Sequence, residues 1–585
     1  MHTQQTDNHQ MMDKKKTDVL WIVLFAGLLL LTLAGGLKSI FISADIDESY
    51  ALTMGVRLAR GDRLFLEMWE PHQLSAVLYS PLICLYLFIV GDTAEGLLVF
   101  MRIIGVLIQS ALGLCLYRRL SKNGAKKTAL LAAFFYVNFT PKHIQSPEFT
   151  SLFYWGMTAF LLLFEACLNE KNESRKRILA VCAGLFMCVM VLCYPASVII
   201  FLLCICLLLK QKNRSGALFF GSTCVVTGLW FLIRMIAKGS FLQALSNLPN
   251  VLSDVSHKQS VLLLWKEHLT GSISMLWVSI ALMVLVFCAR PVLDRKKEKT
   301  PLFWGIYLAL QGIWMLVQFH SLTDKAYYDY LPVILQLFAA ALFYVASAND
   351  RRPVSDEKTP DGQSYLLWIG VPCISTLCIL GLSNLPAAYS VGFLLPAVLY
   401  LMPVVAKKCF GKAARLQALL AIFFLLILTV QIFAVRIGLV RFSGNQRRTI
   451  MEDFYKVNHG PLAGIRLGAE DWKHHDEMLH CYVEDCHSED VWLYVGADFF
   501  IYPLLSHEQV GTGNTISTPA FSEQLLSYYE QFPERVPTVM VVEHDYVHDY
   551  SDCLGQEPFA SFVKAHFDLA NPTEKGSVSV YRKKP

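Results

Sequence analysis

The sequence predicts a polytopic α-helical membrane protein with an α/β domain at its C-terminal end. Of its 585 residues, 54% are apolar and only 17% are charged, whereas soluble proteins carry roughly 25% charged residues. The charges are also segregated, because residues 441–585 hold 12 basic and 22 acidic residues and the preceding region carries the positive excess. An apolar, basic region followed by an acidic one is typical of a membrane domain joined to a soluble domain. Nothing in this charge pattern indicates a nucleic-acid partner.

Apolar runs recur throughout residues 18–440, the predicted transmembrane domain. Because a helix needs about 20 apolar residues to cross the hydrocarbon core, we expect about thirteen transmembrane helices. The candidate spans cover residues 18–40, 95–117, 127–141, 150–168, 178–193, 195–209, 216–236, 271–289, 302–320, 329–347, 366–383, 388–405 and 415–437. Three lysines precede the first span and no small-residue cleavage site follows it. Residues 1–17 are therefore predicted to form a cytoplasmic N-terminus before a retained first helix.

The apolar segment 76–90 decides the topology. It is short and contains Pro81. Lys and Arg concentrate in cytoplasmic loops, and most loop Lys and Arg residues fall on the cytoplasmic side only if this segment does not cross. We therefore expect it to lie outside, at the membrane surface or partly embedded. Residues 41–94 then form a long extracytoplasmic loop.

The C-terminal region 441–585 changes character. Short β-rich runs at 491–497, 538–544 and 577–583 alternate with helical stretches at 520–531 and 558–566. This pattern predicts a small α/β domain. Its acidic composition fits solvent exposure, and the predicted topology places it outside the membrane.

The loop 41–94 gathers ionisable side chains close to the membrane. Asp47 and Glu48 follow the first span directly, and Glu70 and His72 follow a helical segment. A buried carboxylate within reach of a hydroxyl group can act as a general base. A solvated acidic loop with no chemical role is the alternative interpretation.

The motifs of this loop resemble those of a known family. They are Asp47-Glu48 followed by Tyr50, Arg-Leu-Ala-Arg-Gly-Asp at 57–62 and Trp-Glu at 69–70. The pattern is similar to the first outer loop of GT-C glycosyltransferases, including lipid A aminoarabinose transferases, protein O-mannosyltransferases and Rgt-type lipopolysaccharide core transferases.

The resemblance implies roles for individual residues. Asp47 matches the carboxylate that activates the acceptor, Glu48 is its companion, and Glu70 matches the acidic residue before a Pro-Pro element. The resemblance therefore implies that these three residues are catalytic. This chain departs from the family there, because Pro71-His72-Gln73 stands where the family has Lys-Pro-Pro. We expect His72 to replace the missing basic residue as a contact to phosphate or acceptor.

Further substrate-binding candidates lie near the predicted outer surface. Glu148 resembles an acidic residue of the family, and Lys325 and Tyr328 resemble a late segment that meets the donor's phosphates. Arg102 lies near the outer end of the second span, and ionisable groups at such depth are costly. The alternatives are a helix-start residue for Glu148, an aromatic interface belt for Tyr328 and snorkelling for Arg102.

The resemblance implies an enzyme of the inner or plasma membrane that moves a sugar from a polyprenyl-phosphate donor to an extracytoplasmic lipid, glycan or protein by inverting displacement. A lipid or polysaccharide transporter or flippase and a non-catalytic scaffold of the same fold stay open as alternatives. The need for a divalent metal is also open. The cluster 473–477, with His480 and His487, suggests a metal site, although solvated histidines are the more common explanation.

Overall fold

The computed structural model describes residues 2–122, 126–237, 241–252, 261–295, parts of 302–317, 362–382, 392–410, 414–441, 447–485, 487–515, 522–544, 550–568 and 573–585. The candidate residues Lys325 and Tyr328 and the predicted span 329–347 lie outside the described residues.

Helices dominate the region before residue 439. They are α1 (His2–Phe41), α2 (Ile46–Ala59), α3 (Gln73–Val90), α4 (Leu97–Leu120), α5 (Lys126–Asn138), α6 (Phe149–Asn169), α7 (Glu173–Cys193), α8 (Val198–Lys210), α9 (Arg214–Ala237), α10 (Phe241–Leu252), α11 (Val261–Arg295), α12 (Gly362–Leu382), α13 (Leu395–Phe410) and α14 (Ala414–Val430), which continues as a π-helical turn, Gln431–Ile437. Within the described ranges, seven helices are long and apolar enough to cross a membrane. Several predicted spans are therefore confirmed as apolar helices, whereas the total of thirteen stays a prediction.

Both ends of α3 contact the C-terminal domain. Before α3, the backbone N–H of Thr515 donates a hydrogen bond to the Glu70 carboxylate (2.7 Å). After α3, the N–H of Gly96 donates to the carbonyl of Gly460 (2.9 Å). An 18-residue helix is about 27 Å long, so contact at both ends indicates that α3 lies along this domain. By length and composition α3 could cross a membrane, so the placement of segment 76–90 at the membrane surface stays a prediction.

Three segments that are distant in the sequence meet on one side of the helical region. At the end of α1, Ser43 donates its N–H to the carbonyl of Arg466 (2.8 Å) in the C-terminal domain. In α10, the Asn247 amide donates to the carbonyl of Phe65 (2.9 Å) in the first loop. The first loop, α10 and the C-terminal domain therefore share one side of the membrane region.

The C-terminal region is an α/β domain, as predicted. Its strands are β1 (Leu439–Arg441), β2 (Arg447–Thr449), β3 (Phe454–Lys456), β4 (Arg466–Gly468), β5 (Trp492–Val495), β6 (Val539–Glu543), β7 (Thr573–Lys575) and β8 (Val578–Arg582), and its helices are α15 (Ala469–Asp485), α16 (Ser522–Gln531) and α17 (Phe559–His566). The main sheet has the order β5-β6-β8-β7, with β5 parallel to β6 and the other pairs antiparallel. Every residue of β5 and β6 is buried, which explains their nearly continuous apolar sequence.

The first loop contributes to the core of this domain. Leu66 and Trp69 are fully buried in one apolar cluster with residues of β5, β6 and α16. The Trp69 ring meets that of Tyr528 edge-on, with 5.3 Å between centroids. A Cβ atom at Gly513 would lie 2.8 Å from the Tyr528 ring and 3.2 Å from that of Trp69, so a glycine is needed there. The loop and the domain therefore pack as one unit.

Candidate active site

Asp47 lies in the first turn of α2, at the end of the first membrane helix. The N-cap of α2 is Asp45, whose carboxylate accepts a hydrogen bond from the N–H of Asp47 (2.9 Å). The positive end of a helix dipole stabilises a carboxylate in this position. The Asp47 side chain is 28% exposed, whereas those of Glu48, Glu70 and Glu148 are buried. Asp47 is therefore the most accessible carboxylate of these four.

The Asp47 carboxylate is paired with Lys142, whose ammonium group is 3.0 Å away. Lys142 is buried and lies in the loop between α5 and α6, with a left-handed backbone (φ 54°, ψ 18°). Such a conformation is unfavourable for a residue other than glycine. The ammonium group also lies 4.7 Å from the centre of the Phe149 ring, where a cation is favourable. Glu148 is the residue of this loop that the sequence predicts to bind substrate, whereas Lys142 was not predicted.

Glu148 caps the N-terminus of α6. Its carboxylate accepts hydrogen bonds from the backbone N–H groups of Thr150 (2.8 Å) and Ser151. Burial raises the pKa of the Glu148 carboxyl, with a further contribution from Asp47, while Lys142 lowers it. The capping role gives Glu148 a structural task. Its electrostatic interaction with Asp47 and Lys142 also places it in the same cluster.

His72 stacks on the ring of Phe149. The two rings are parallel within 2° and their centroids are 3.8 Å apart, while the Tyr194 ring lies edge-on to His72 at 5.8 Å. Because Phe149 also contacts Lys142, one aromatic side chain joins His72 to the Asp47–Lys142 pair. The structure thus brings His72 into the cluster as a half-buried ring.

Glu48 and Arg102 form a buried ion pair. The Arg102 Nε atom donates to Oε1 of Glu48 at 2.9 Å, and a second guanidinium nitrogen donates to Oε2. The hydroxyl of Ser146 also donates to Oε1 (3.0 Å). Geometry of this bidentate kind orients both side chains. Glu48 is therefore held by Arg102 and Ser146, whereas the neighbouring Asp47 faces the accessible side.

Two further cations, Lys38 and Arg436, line an opening beside the Glu48–Arg102 pair. The opening is lined by Lys38, Ser39, Ile42, Ser43, Ala44, Asp45, Glu48, Arg102, Thr140 and Arg436. The guanidinium groups of Arg102 and Arg436 and the Lys38 amine share this opening with the carboxylates of Asp45 and Glu48. The guanidinium group of Arg436 donates to Oε1 of Gln145 (2.9 Å) and to a carbonyl at the end of α5. The sequence places Arg436 within the predicted span 415–437, but it does not reveal the neighbours of this residue.

Glycine allows the loop 141–148 to approach α4. A Cβ atom at Gly105 would lie only 1.7 Å from the carbonyl oxygen of Gln145. Any larger residue at position 105 would push the loop away from α4. The loop carries Lys142 and Ser146, which contact Asp47 and Glu48, so this close approach positions the cluster.

Glu70 occupies the interface between the first loop and the C-terminal domain. Its Oε1 atom accepts hydrogen bonds from the N–H (2.7 Å) and the hydroxyl (2.9 Å) of Thr515. Burial raises the pKa of the Glu70 carboxyl to about 7, although Arg57, Thr515 and Tyr50 oppose the shift. Glu70 is only two residues from His72 in the chain, but its hydrogen bonds are made with the C-terminal domain.

The histidines of the C-terminal domain have structural partners. Nδ1 of His474 lies 2.6 Å from the Ser577 hydroxyl, and Nδ1 of His475 lies 3.0 Å from the Asp498 carboxylate. Among the residues that the structure describes, no group of three or more His, Cys, Asp or Glu side chains could hold a metal ion. A requirement for a divalent metal stays an open question.

No protein-family model matches this chain, and no curated protein matches it in sequence. Solved structures do show similarity. The oligosaccharyltransferase of Archaeoglobus fulgidus, in complex with Zn and sulfate, is 14% identical with a TM-score of 0.44, over 95% of this chain and 73% of that one. ArnT from Cupriavidus metallidurans in the apo state is 13% identical with a TM-score of 0.41, over 97% of this chain and 98% of that one. The same protein bound to undecaprenyl phosphate is 13% identical with a TM-score of 0.42, over 96% of this chain and 97% of that one.

All three likenesses have identities below 15% and TM-scores below 0.5. At these identities and TM-scores the similarity assigns no role to any residue. The chemistry is therefore argued from this chain's own side chains.

Proposed function

We propose that this chain transfers a sugar from a polyprenyl-phosphate donor to an extracytoplasmic lipid, glycan or protein. The observation that carries the proposal is the Asp47–Lys142 pair. An accessible carboxylate lies 3.0 Å from a buried ammonium group, in the first turn after a membrane helix. The next residue, Glu48, lines an opening together with Lys38, Arg102 and Arg436. A base for a hydroxyl group and positive charge for a lipid phosphate are thereby close to the membrane surface, where the two substrates would meet.

The reaction is an inverting displacement at the anomeric carbon. The acceptor oxygen forms a bond to this carbon while the bond to the phosphate oxygen breaks, and polyprenyl phosphate leaves with the bonding electrons. The acceptor proton passes to the Asp47 carboxylate, which acts as the general base. Such a base contributes typically 10²–10⁴-fold to the rate.

The basic side chains of this region bind the donor's phosphate in the proposed reaction. Negative charge grows on the leaving phosphate as the bond breaks, so fixed positive groups stabilise the transition state. We assign this role to Lys142 and to the opening formed by Lys38, Arg102 and Arg436. Glu48 orients Arg102 through two hydrogen bonds.

The remaining candidates surround this centre. The half-exposed His72 is assigned to the phosphate or the acceptor, while Glu148 holds the start of α6 and neighbours Lys142 electrostatically. Glu70 is buried at the interface with the C-terminal domain, two residues before His72 in the chain. Lys325 and Tyr328 keep the donor-binding role that the family resemblance implies.

The proposed topology follows the distribution of Lys and Arg residues. The N-terminus is cytoplasmic, and the first loop, α10 and the C-terminal domain lie on the extracytoplasmic side of the inner or plasma membrane. Contacts between these three segments support a common side. A lipid-borne donor suits this side, because nucleotide sugars are cytoplasmic.

The proposal is tested with purified protein in lipid nanodiscs and undecaprenyl phosphate that carries a radiolabelled sugar, with membrane extracts as the source of acceptor. Transfer of label to an acceptor with release of undecaprenyl phosphate is the expected result. In proteoliposomes, movement of the lipid between leaflets without label transfer would indicate a flippase instead. Binding with neither transfer nor movement would indicate a scaffold.

A further inference from the structure

A continuous set of contacts connects the C-terminal domain to His72. At one end, the carbonyl of Gly513 accepts a hydrogen bond from the N–H of Trp69 (2.7 Å). One residue further along the first loop and two residues further along the other segment, Thr515 donates two hydrogen bonds to the Glu70 carboxylate. The segments 69–70 and 513–515 therefore run side by side, with both main-chain and side-chain bonds between them.

Trp69 and His72, which flank Glu70 in the chain, are each held by further contacts. Trp69 is fully buried against Tyr528 in the core of the domain. On the other side, His72 precedes α3, and its carbonyl accepts a hydrogen bond from the N–H of Ser75 (3.0 Å). Only Pro71 lies between Glu70 and His72, and proline fixes its own φ angle. A displacement of Glu70 would therefore move the His72 ring relative to Phe149.

We propose that the loop 511–515 of the C-terminal domain positions His72 in the candidate site, with the Thr515–Glu70 hydrogen bonds as the connection. Glu70 is a positioning residue in this arrangement, since its carboxylate faces Thr515 and not the accessible side of Asp47. The inference deepens the proposed function and rests on it for the role of His72 in transfer. The positioning itself is a property of the folded chain and is measurable without any substrate.

The test measures the reactivity of individual histidines in the full-length protein. Carbethoxylation by diethyl pyrocarbonate is followed by mass spectrometry in wild type, Glu70→Ala and Thr515→Val. Glu70→Ala removes the acceptor of both hydrogen bonds, and Thr515→Val removes one donor with little change of shape. We expect the rate at His72 to rise several-fold in Glu70→Ala and by a smaller factor in Thr515→Val, because the ring spends more time away from Phe149.

The matched control is Thr538→Val. The Thr538 hydroxyl belongs to the same domain, but it donates to the Asp490 carboxylate (2.9 Å), outside the loop 511–515. This variant should leave the rate at His72 unchanged. His474 is buried in the same domain, so it should stay protected in all variants unless the domain has loosened.

Equal His72 rates in wild type, Glu70→Ala and Thr515→Val would overturn the inference. A rise at His72 accompanied by an equal rise at His474 would also overturn it, because general loosening would then be the cause. If transfer activity is never found but His72 alone becomes reactive, the proposed function fails and the positioning role stands. If transfer is found, Thr515→Val should lower the transfer rate while its thermal stability stays that of Thr538→Val.

Discussion

The Asp47 carboxylate and the Lys142 ammonium group are 3.0 Å apart, although 95 residues separate them in the chain. One belongs to the first turn after the first membrane helix, and the other to a loop between two later helices. Lys142 reaches this position with a left-handed backbone. An unfavourable backbone conformation that places a cation beside an accessible acid is typical of a functional site.

Replacement of Lys142 by Met should lower transfer at least about tenfold, because one fixed charge near the leaving phosphate is lost. The variant should still fold, since Met fills a similar volume and Asp47 is partly exposed. Initial rates with the labelled donor measure the effect. Lys171→Met removes the same charge from an exposed loop position and serves as the control. Equal rates for the two variants would contradict a role for Lys142.

The Glu48–Arg102 pair should behave as a coupled unit in stability. Removal of one partner from a buried ion pair costs about 3–5 kcal/mol, because the other charge is left unpaired. Glu48→Gln and Arg102→Met should each lower the thermal unfolding temperature in detergent. The double variant should be less destabilised than the sum of the two single effects. Strict additivity would show that the two side chains do not stabilise each other.

The pH dependence of stability should show the raised pKa of the Glu70 carboxyl. Burial raises the pKa of its carboxyl from 4.5 to about 7, so the folded protein binds a proton more tightly than the unfolded chain. The contribution of Glu70 to stability therefore decreases as pH rises from about 4.5 to 7 and is constant above that range.

Glu70→Gln removes this dependence, so its unfolding temperature relative to wild type should rise between pH 4.5 and 7. Burial lowers the pKa of His474 to about 4, which makes stability increase with pH between 4 and 6.5. This opposite trend is common to both proteins and cancels in their difference. A difference that is flat with pH would show that Glu70 is ionised throughout.

Local sequence patterns were sufficient for much of the fold. Strands at 492–495, 539–543 and 578–582 fall within the predicted β-rich runs, because buried strands have distinctive compositions. Asp47 and Glu48, two acidic residues next to a membrane helix, predict a site in the first loop, and the structure places partners for both of them there. Charge and length predict that segment 76–90 lies at the membrane surface, and this placement stays a prediction, since α3 is long and apolar enough to cross.

The sequence does not reveal which residues contact these acidic side chains. Nothing local distinguishes Lys142 from other loop lysines, because its contact with Asp47 depends on how α4 packs against the loop at Gly105. The bond between Glu70 and Thr515 joins residues 445 positions apart. Lys38 and Arg436 share one opening only because the first membrane helix and the π-helical turn are adjacent in the fold.

The central claim, that Asp47 is the general base, is tested most directly by the transfer rate of Asp47→Asn. Asparagine keeps the shape of the side chain and removes the charge, so folding and binding of undecaprenyl phosphate should be preserved. We expect the rate to fall by roughly 10²–10⁴, whereas Asp92→Asn, the same change at an exposed position of the first loop, should leave it unchanged. Near-normal transfer by folded Asp47→Asn protein would contradict the claim.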